Sequence, residues 1–553
     1  MHTYQKGIVA AAKILPILGL NLFCLTFSLL VAVANLLLRK ADVIGLDNRA
    51  HRESCRTAPG FRQRTILITE VGTARGLTLA RSFYLCGHRV IGVDSHRFSP
   101  GRFSRALTSF HRLRLPALHS VTNSAATTPA LRRYARSFVE LLRDEQVDIW
   151  VSCAGDELAF ASSRVKELVE ARNSRCKCIM IDSDMVSDLL NSIRFFEHAS
   201  RIGLPVPETH EVMSREQVAS HVLDDAQRHW QRDTLGLGPR GFILKPSNTT
   251  DVYNPDTINE ESYDMRKFLT GKDDLKTHLE KNGRFARKDA TEAWVLQQYL
   301  RPIVRFRTHA FVIRGRVAVF IASPVSEQSL AMRHYFAESP ESDTHAQMLQ
   351  FTKDFASRSR PGPANEPLTG HLSFEFMVVD ERSPAGRLTL YAYSGSPCVR
   401  TSVVMMSTPG PQMRAMVAAY LSVLDEPQRG SHRFRVVANN SKLHLPLVTP
   451  PPNPYRRYRG GHHVLNLVIR QVWGYFAKER PKPVQDALRK EIAACLGGFR
   501  TDKEATFEVW DPVPFLVYHH LQWTCEVVRD IFSRVLASGP SCEQPYVNIL
   551  TAP

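Results

Sequence analysis

The sequence predicts a chain of α/β and α+β class: a Rossmann-like domain, then a strand-rich α+β domain, with a transmembrane helix ahead of both and a mostly helical region behind. Three observations carry this. An apolar run from Thr65 to Thr69, a helical pattern from Leu79 to Cys86 and a second apolar run from Arg89 to Asp94 give the β-α-β order of a parallel sheet. Between Gly241 and Val404, apolar runs of strand length follow one another with turn signals between them, the pattern of antiparallel pairing. From Ile14 to Leu38, 25 positions hold no charged residue, about 37 Å of helix and enough to cross a hydrocarbon core. At 553 residues the chain is too long for one core, and these signals divide it into an anchor over 1–40, a Rossmann-like domain over 62–182, an α+β domain over 183–410 and a C-terminal region over 411–553.

The N-terminal segment has a rival reading as a secretory signal, since Ala32-Val-Ala34 resembles a cleavage site, but its apolar stretch is longer than a signal core. Lys6 and Lys13 precede it, whereas Arg39, Lys40, Arg49, Arg52 and Arg56 follow. The positive-inside rule then makes this a single-pass membrane protein with its main domains facing the cytosol. Overall, 71 basic residues against 54 acidic ones give a net charge of +17, and residues 97–136 hold eight arginines and no Asp or Glu. Such a face attracts anions, but no nucleic-acid motif accompanies it and no nucleic-acid partner is expected. Ten cysteines lie scattered without a Cys-x-x-Cys pair, which reads as free thiols in a reducing compartment. The 43% hydrophobic and 23% charged shares are those of a globular chain and exclude a disordered one.

After the first strand comes Glu70-Val-Gly72-Thr-Ala-Arg75-Gly76. Glycines at such a turn suit a phosphate at a helix N-terminus, and Asp94, ending the second strand, suits a ribose. Glu70 stands where the first glycine of that fingerprint belongs, so plain strand-to-helix packing is the better reading and no dinucleotide is expected. A helix around 130–144 and a strand over 147–152 continue this half, and 183–202 reads as a helix leading to the breaker-rich Gly203-Leu-Pro-Val-Pro207. Tyr263-Asp-Met-Arg-Lys267 matches a reductase pattern, but no serine stands at a suitable distance. The adjacent pairs His462-His463 and His519-His520 point in different directions and chelate poorly.

In the α+β region the first strand, Gly241-Phe-Ile-Leu-Lys245-Pro, ends on a cation. A lysine on a rigid strand is a point-charge partner for phosphate; the bland reading is a surface lysine at a strand edge. The second, Ala293-Trp-Val-Leu-Gln297-Gln298-Tyr299-Leu300, leads through Arg301-Pro302 into strand-like residues 308–321, with Arg314-Gly315 as a tight turn. The third runs from His371 to Asp380 and holds Glu375 among apolar residues, where a carboxylate is costly unless it meets a cation or a metal. Glu375 reads equally as a metal ligand and as the ion-pair partner of Lys245 or Arg305. The run 388–397 ends on Ser394-Gly-Ser396-Pro397. Beyond it, the apolar and aromatic residues 507–532 are expected to pack on the α+β domain.

Taken in order, Trp294-Val-Leu-Gln-Gln-Tyr-Leu, Thr308-His309-Ala, Gly370-His-Leu-Ser-Phe-Glu-Phe and, far downstream, Ala505-Thr-Phe-Glu-Val-Trp-Asp511-Pro resemble the ATP-grasp superfamily, and within it a fungal group found with secondary-metabolite biosynthetic clusters. The similarity spans residues from roughly 60 to the end. It implies a pre-ATP-grasp domain over 62–182 and an ATP-grasp domain over 183–410 that binds ATP and Mg2+ and joins a small carboxylate to an amine, with other cluster enzymes as partners. It implies phosphate contacts from Lys245 and from Arg194, which stands near the usual lysine position at Ser192, and an adenine seat on Gln297, Gln298, Tyr299 and Leu300. By the same resemblance Glu375 is a metal ligand, and Lys245 and Arg400 serve the transfer itself.

The chain departs from the pattern at two places. Where the family has Glu-x-Asn before Pro-Arg, this sequence has Ser394-Gly-Ser396-Pro397-Cys398, and where an acidic residue often holds the ribose it has Val304-Arg305. Two hydroxyls do not supply the charge of a carboxylate opposite a divalent cation. A second expectation therefore stands beside the ligase: a nucleotide-binding scaffold with little catalysis.

Overall fold

The computed structural model describes residues 48–116, 129–172, 175–214, 294–300, 302–325, 333–359, 367–380, 388–425 and 502–522, with shorter runs at 241–246, 263–264, 446–451 and 457–460 and scattered positions elsewhere, including some between 15 and 37. The chain divides into two units, the first made of Met1–Ile179, Ser326–Ala337 and Val399–Pro553, the second of Met180–Val325 and Glu338–Cys398. The apolar stretch 14–38 lies only partly within the described residues; among those, no helix is long and apolar enough to cross a membrane.

The first unit is built on a five-stranded parallel sheet. Strands β1 (Thr65–Thr69), β2 (Arg89–Asp94), β3 (Ser109–Arg112), β4 (Ile149–Ser152) and β5 (Lys177–Ile179) take the order β3-β2-β1-β4-β5. Ile66, Leu67 and Ile68 are fully buried, as a central strand covered on both faces requires. The chain fills one side of β1 first and then crosses to the other, so the strand order reverses between β1 and β4. Helix α1 (Asn48–Arg56) precedes the sheet, and α2 (Ala74–Leu85) follows β1.

Ten of the twelve residues of α2 are buried, which a helix lying on one sheet face would not show. Its outer side is covered by the C-terminal residues: Tyr420 meets Phe83 edge-on at 5.5 Å, and Trp510 stacks on Tyr84 at 5.5 Å. Arg81, on the same helix, pairs with the fully buried Asp511 at 2.9 Å. This corrects the expectation that residues 507–532 pack on the α+β domain; the described part of that run belongs to the first unit, where Trp510 and Asp511 meet α2 and Val513–Val517 packs on Pro100–Phe103. The C-terminal region also contributes strands, since β12 (Arg333–Tyr335), β15 (Arg457–Gly460) and β16 (Asp502–Glu504) form a small sheet.

In the second unit the expected single helix over 183–202 is two, α3 (Ser183–Leu190) and α4 (Ser192–Arg201), broken at Asn191. Asn191 takes extended backbone angles and its side chain accepts from the Arg194 amide, so it starts the second helix rather than continuing the first. Strands β10 (Pro302–Ile313), β11 (Arg316–Pro324), β13 (Gly370–Asp380) and β14 (Leu388–Ser396) make an antiparallel sheet in the order β11-β10-β13-β14. The Arg314-Gly315 turn joins β10 to β11 with φ of 49° and 73°. Both values are positive, the twist that suits a two-residue hairpin.

One face of this sheet packs on helices. Phe374 and Phe376 meet Phe351 of α5 (Asp343–Arg358) at 5.2 and 5.1 Å, and Phe374 also meets Phe195 of α4 at 6.0 Å. Side chains alternate along a strand, so the odd-numbered neighbours Arg305, Arg307, Glu375 and Met377 occupy the opposite face. A second antiparallel sheet holds β6 (Thr209–Val212), β7 (Gly241–Pro246), β8 (Tyr263–Asp264) and β9 (Trp294–Tyr299) in the order β6-β9-β7-β8.

Candidate functional site

On the opposite face of the β10–β14 sheet, register sets Arg307 opposite Glu375 and Glu375 opposite Ser394. Three strands thus line up a guanidinium, a carboxylate and a hydroxyl. Arg307 donates from Nε to Glu375 Oε1 at 2.7 Å, and its Nη2 lies 2.5 Å from the same oxygen. Glu375 is 3% exposed, so this charge is desolvated, and a buried carboxylate without its cation would be expensive. Tyr393 also hydrogen-bonds Glu375; burial first, and then the carboxylate's charge, hold the tyrosine hydroxyl well above its usual range. Of the two readings of Glu375, the structure displays the ion pair, with Arg307 rather than Lys245 or Arg305 as the partner.

Two residues along β10, Arg305 carries a buried Nε that makes no hydrogen bond among the described residues. Next to these charges lies an apolar patch in which Leu300, Met377, Val379 and Tyr393 pack together with Tyr391 against them. A packed apolar and aromatic patch beside two guanidiniums and one carboxylate, net +1, has the chemistry to meet a flat base and its anionic tail. It is a poor match for magnesium. That ion takes oxygen ligands in near-octahedral geometry, and the one carboxylate of this row already holds a guanidinium.

The other predicted site residues are distributed as follows. Lys245 is on β7 with its backbone opposite Val295; its side chain lies outside the described residues, as does that of Tyr299. Gln297 and Gln298 are buried in β9, which has ladder neighbours on both sides in β6 and β7. The Gln298 amide nitrogen of the main chain donates to Glu208 O at 2.8 Å, and its side-chain oxygen accepts from the Glu208 main chain at 3.2 Å. Leu300 sits in the apolar patch. Arg194 is exposed on the first turn of α4. Arg400 belongs to the first unit, where its Nη1 lies 3.3 Å from Asp156 Oδ2. Sequence reasoning missed Arg307, Tyr391 and Tyr393; a period-two reading of β10 would have put Arg305 and Arg307 on one face, but which strands flank them is not a local property. The motif histidines His309 and His371 are core residues, each 1% exposed, stacked with ring centroids 5.3 Å apart.

In the first unit, the glycines after β1 are structural. A Cβ on Gly72 would lie 2.6 Å from Ser99 Oγ and 2.7 Å from Asp94 Oδ2, and one on Gly76 would lie 2.5 Å from the Glu70 carbonyl oxygen. Asp94, the residue suited to a ribose, is consumed internally by the Gly72 amide at 2.8 Å, Ser99 Oγ at 2.9 Å and the His96 amide at 3.0 Å. Glu70 takes a left-handed φ of 53° at the reversal point between β1 and β4, where parallel sheets place their ligands. The space beside it, lined by Thr69, Tyr134, Trp150 and Ser162, has room for about one water-sized group.

Burial, and then the charge of Asp94, push the Glu70 carboxyl up to about 7. The folded chain therefore keeps this proton up to about pH 7 while the unfolded chain releases it near 4.5, so the protonated group's contribution is complete below pH 4.5 and is lost as pH rises through about 7. Glu70→Gln is expected to flatten this decline. Melting temperatures of parent and variant between pH 4.5 and 8 check it; an unchanged slope in the variant would assign the decline to another group.

No family model matches the chain, and no curated protein matches it. Among solved structures it is similar to N5-carboxyaminoimidazole synthetase from Staphylococcus aureus at 13% identity, with 61% of this chain and 71% of that chain covered and a TM-score of 0.38. It is similar to the biotin carboxylase subunit of pyruvate carboxylase at 12% identity, covering 67% and 72% with a TM-score of 0.41. It is also similar to an L-amino acid ligase from Bacillus licheniformis at 13% identity, covering 62% and 69% with a TM-score of 0.37. At these identities and TM-scores the likenesses carry no argument about what the chain does.

Proposed function

We propose that the chain is an ATP-grasp ligase that joins a small carboxylate to an amine at the expense of ATP, in fungal secondary metabolism, held at a membrane by residues 1–40 with its two units on the cytosolic side. The observation that carries the reading is the row Arg307, Glu375 and Ser394 beside the apolar patch of Leu300, Met377, Val379, Tyr391 and Tyr393, on the strands whose motifs resemble the superfamily. In such a reaction a carboxylate oxygen attacks the γ-phosphorus, ADP leaves, and the amine then displaces phosphate from the acyl phosphate and gives up a proton. The protein's part is to hold the groups in line and to stabilise the charge that passes to the leaving phosphate. Arg305 and Arg307 are the cations of this face for that task, and Lys245 is the third proposed phosphate contact.

Magnesium, which the resemblance implies, does not fit the donors present: Glu375 is engaged by Arg307, and Ser394 and Ser396 offer hydroxyls where a carboxylate and an amide are expected. No step is assigned to the ion. The same observation favours a second reading, a nucleotide-binding scaffold for other enzymes of a biosynthetic cluster. Calorimetry with ATP separates a nucleotide site from its absence. Lys245→Met is expected to weaken ATP binding by about 1.5–3 kcal/mol, the worth of a hydrogen bond to a charged group; affinity equal to the parent's would leave Lys245 a structural role.

A further inference from the structure

Helix α1 brings His51 and Cys55 to one face, since they stand four residues apart, and that face meets the end of α2. Cys86 caps α2, and Gly87 after it takes a left-handed φ of 93°. A Cβ at Gly87 would lie 2.7 Å from Arg56 Cγ and 2.9 Å from Phe61 Cζ, so a glycine is what lets this turn press against the end of α1. At a second point Arg52 lies over the Tyr84 ring, 3.7 Å from its centroid. His51, Cys55 and Cys86 therefore converge: one nitrogen and two sulfurs lie within 4.8 Å of one another, and His51 Nε2 is 3.7 Å from Cys55 Sγ. Both cysteines are buried. Among the described residues no other three His, Cys, Asp or Glu side chains come together in this way.

A nitrogen about 2.0 Å and a sulfur about 2.3 Å from one zinc ion stand about 3.6 Å apart at the tetrahedral angle, close to the 3.7 Å between His51 and Cys55. Two thiolates cancel the charge of the dication, and sulfur with imidazole suits zinc rather than magnesium or calcium. Without a cation the two thiols stay protonated: burial, and then Cys55, push Cys86 up to about 12. A zinc ion between the sulfurs stabilises both thiolates, and two protons leave as it binds. Burial, and then the charge of Arg414, hold His51 below its usual range, so the imidazole is neutral, the form that ligates. Arg414 Nη2 lies 3.4 Å from His51 Nδ1. Ligation through Nε2 moves the ring proton to Nδ1, and the exposed Arg414 side chain is free to turn toward water. Two buried sulfurs alone would make a redox pair; the histidine on the same face supplies the third donor that a metal uses.

We propose that His51, Cys55 and Cys86 bind one zinc ion, which clips α1 to the end of α2 and keeps a fourth position, beside the half-buried His51, for water. The site lies in the first unit and is independent of the nucleotide reading of the second. No local motif announces it, because Cys86 stands 31 residues beyond Cys55 and only the packing of α1 on α2 brings the third ligand in.

The test titrates the full chain, reduced and stripped of metal, with cobalt(II), whose absorption reports sulfur ligation and tetrahedral geometry, and then with zinc. The parent is expected to take up one cobalt with sulfur charge-transfer bands, to lose those bands to zinc, and to melt higher with zinc than with a chelator. Cys55→Ala with Cys86→Ala is expected to abolish the bands. His51→Gln keeps both sulfurs and is expected to weaken zinc binding by at least about tenfold. Because His51 is only half-buried, this variant should melt with the parent in chelator, which separates a lost ligand from a lost fold. A parent without sulfur bands overturns the proposal. So do bands of equal strength in the double variant, which would put the metal on other cysteines, and a zinc affinity in folded His51→Gln equal to the parent's.

Discussion

Asp511→Ala is expected to remove about 3–5 kcal/mol from the stability of the first unit, the cost of stripping one partner from a buried ion pair. The carboxylate is fully buried and has three donors: Arg81 Nε at 2.9 Å, Ser104 Oγ at 2.6 Å and the Arg105 amide at 2.9 Å. Arg81 in turn spends its remaining donors on main-chain oxygens of the same C-terminal segment, Thr506 at 2.8 Å and Asp511 at 2.9 Å. Without the carboxylate, a guanidinium whose side chain is 5% exposed stays buried with its charge uncompensated. Asp511→Asn, which keeps the size and one acceptor, is expected to lose less. Hydrogen exchange of the α2 amides reads the effect where it arises, because the C-terminal residues are the outer cover of that helix. A loss below about 0.5 kcal/mol, the range of ordinary surface substitutions, would show that Trp510 and Tyr420 hold the cover without the ion pair.

Ser394→Glu is expected to make ATP binding respond to magnesium where the parent's responds little, by about tenfold in affinity, or 1.4 kcal/mol. Register places position 394 directly beside Glu375. In the absence of a cation, two carboxylates on neighbouring strands repel at a cost of about 0.2–1 kcal/mol, so the variant should melt lower than the parent without magnesium and recover with it. A divalent ion between them turns the repulsion into shared ligation. Ser396 is the poorer target. It is 1% exposed, and its hydroxyl accepts from the Cys398 amide at 3.2 Å, so Ser396→Asn would overpack the strand end by about 1–3 kcal/mol. The measurement is ATP affinity and turnover of parent and variant across a magnesium titration. Vigorous magnesium-dependent turnover by the parent that Ser394→Glu abolishes would establish a working site with other metal ligands and end the scaffold reading.

Much of the fold could be read locally. The strands at 65–69 and 89–94, the helix between them and the Arg314-Gly315 turn are set by neighbours in sequence, through apolar periodicity and the one turn type that takes two positive φ values. The packing role of Gly72 and Gly76 was legible too, because Glu70 broke the phosphate fingerprint. The candidate site was legible only in part: Glu375 was marked as a buried carboxylate in need of a partner, but the partner's identity was not.

By itself, the sequence determined the strands at 65–69 and 89–94 with the helix between them, that a carboxylate would be buried on β13, and that serines stand at 394 and 396, because each of these is a property of a few adjacent residues. Only the tertiary structure decided that Arg307 and not Lys245 or Arg305 neutralises Glu375, that Asp511 reaches back 430 residues to Arg81, and that His51 and Cys55 meet Cys86. Each of those contacts joins groups whose separation along the chain says nothing about their distance in space. Desolvation makes them consequential, since a polar group shut away from water must find a partner wherever the fold has brought one.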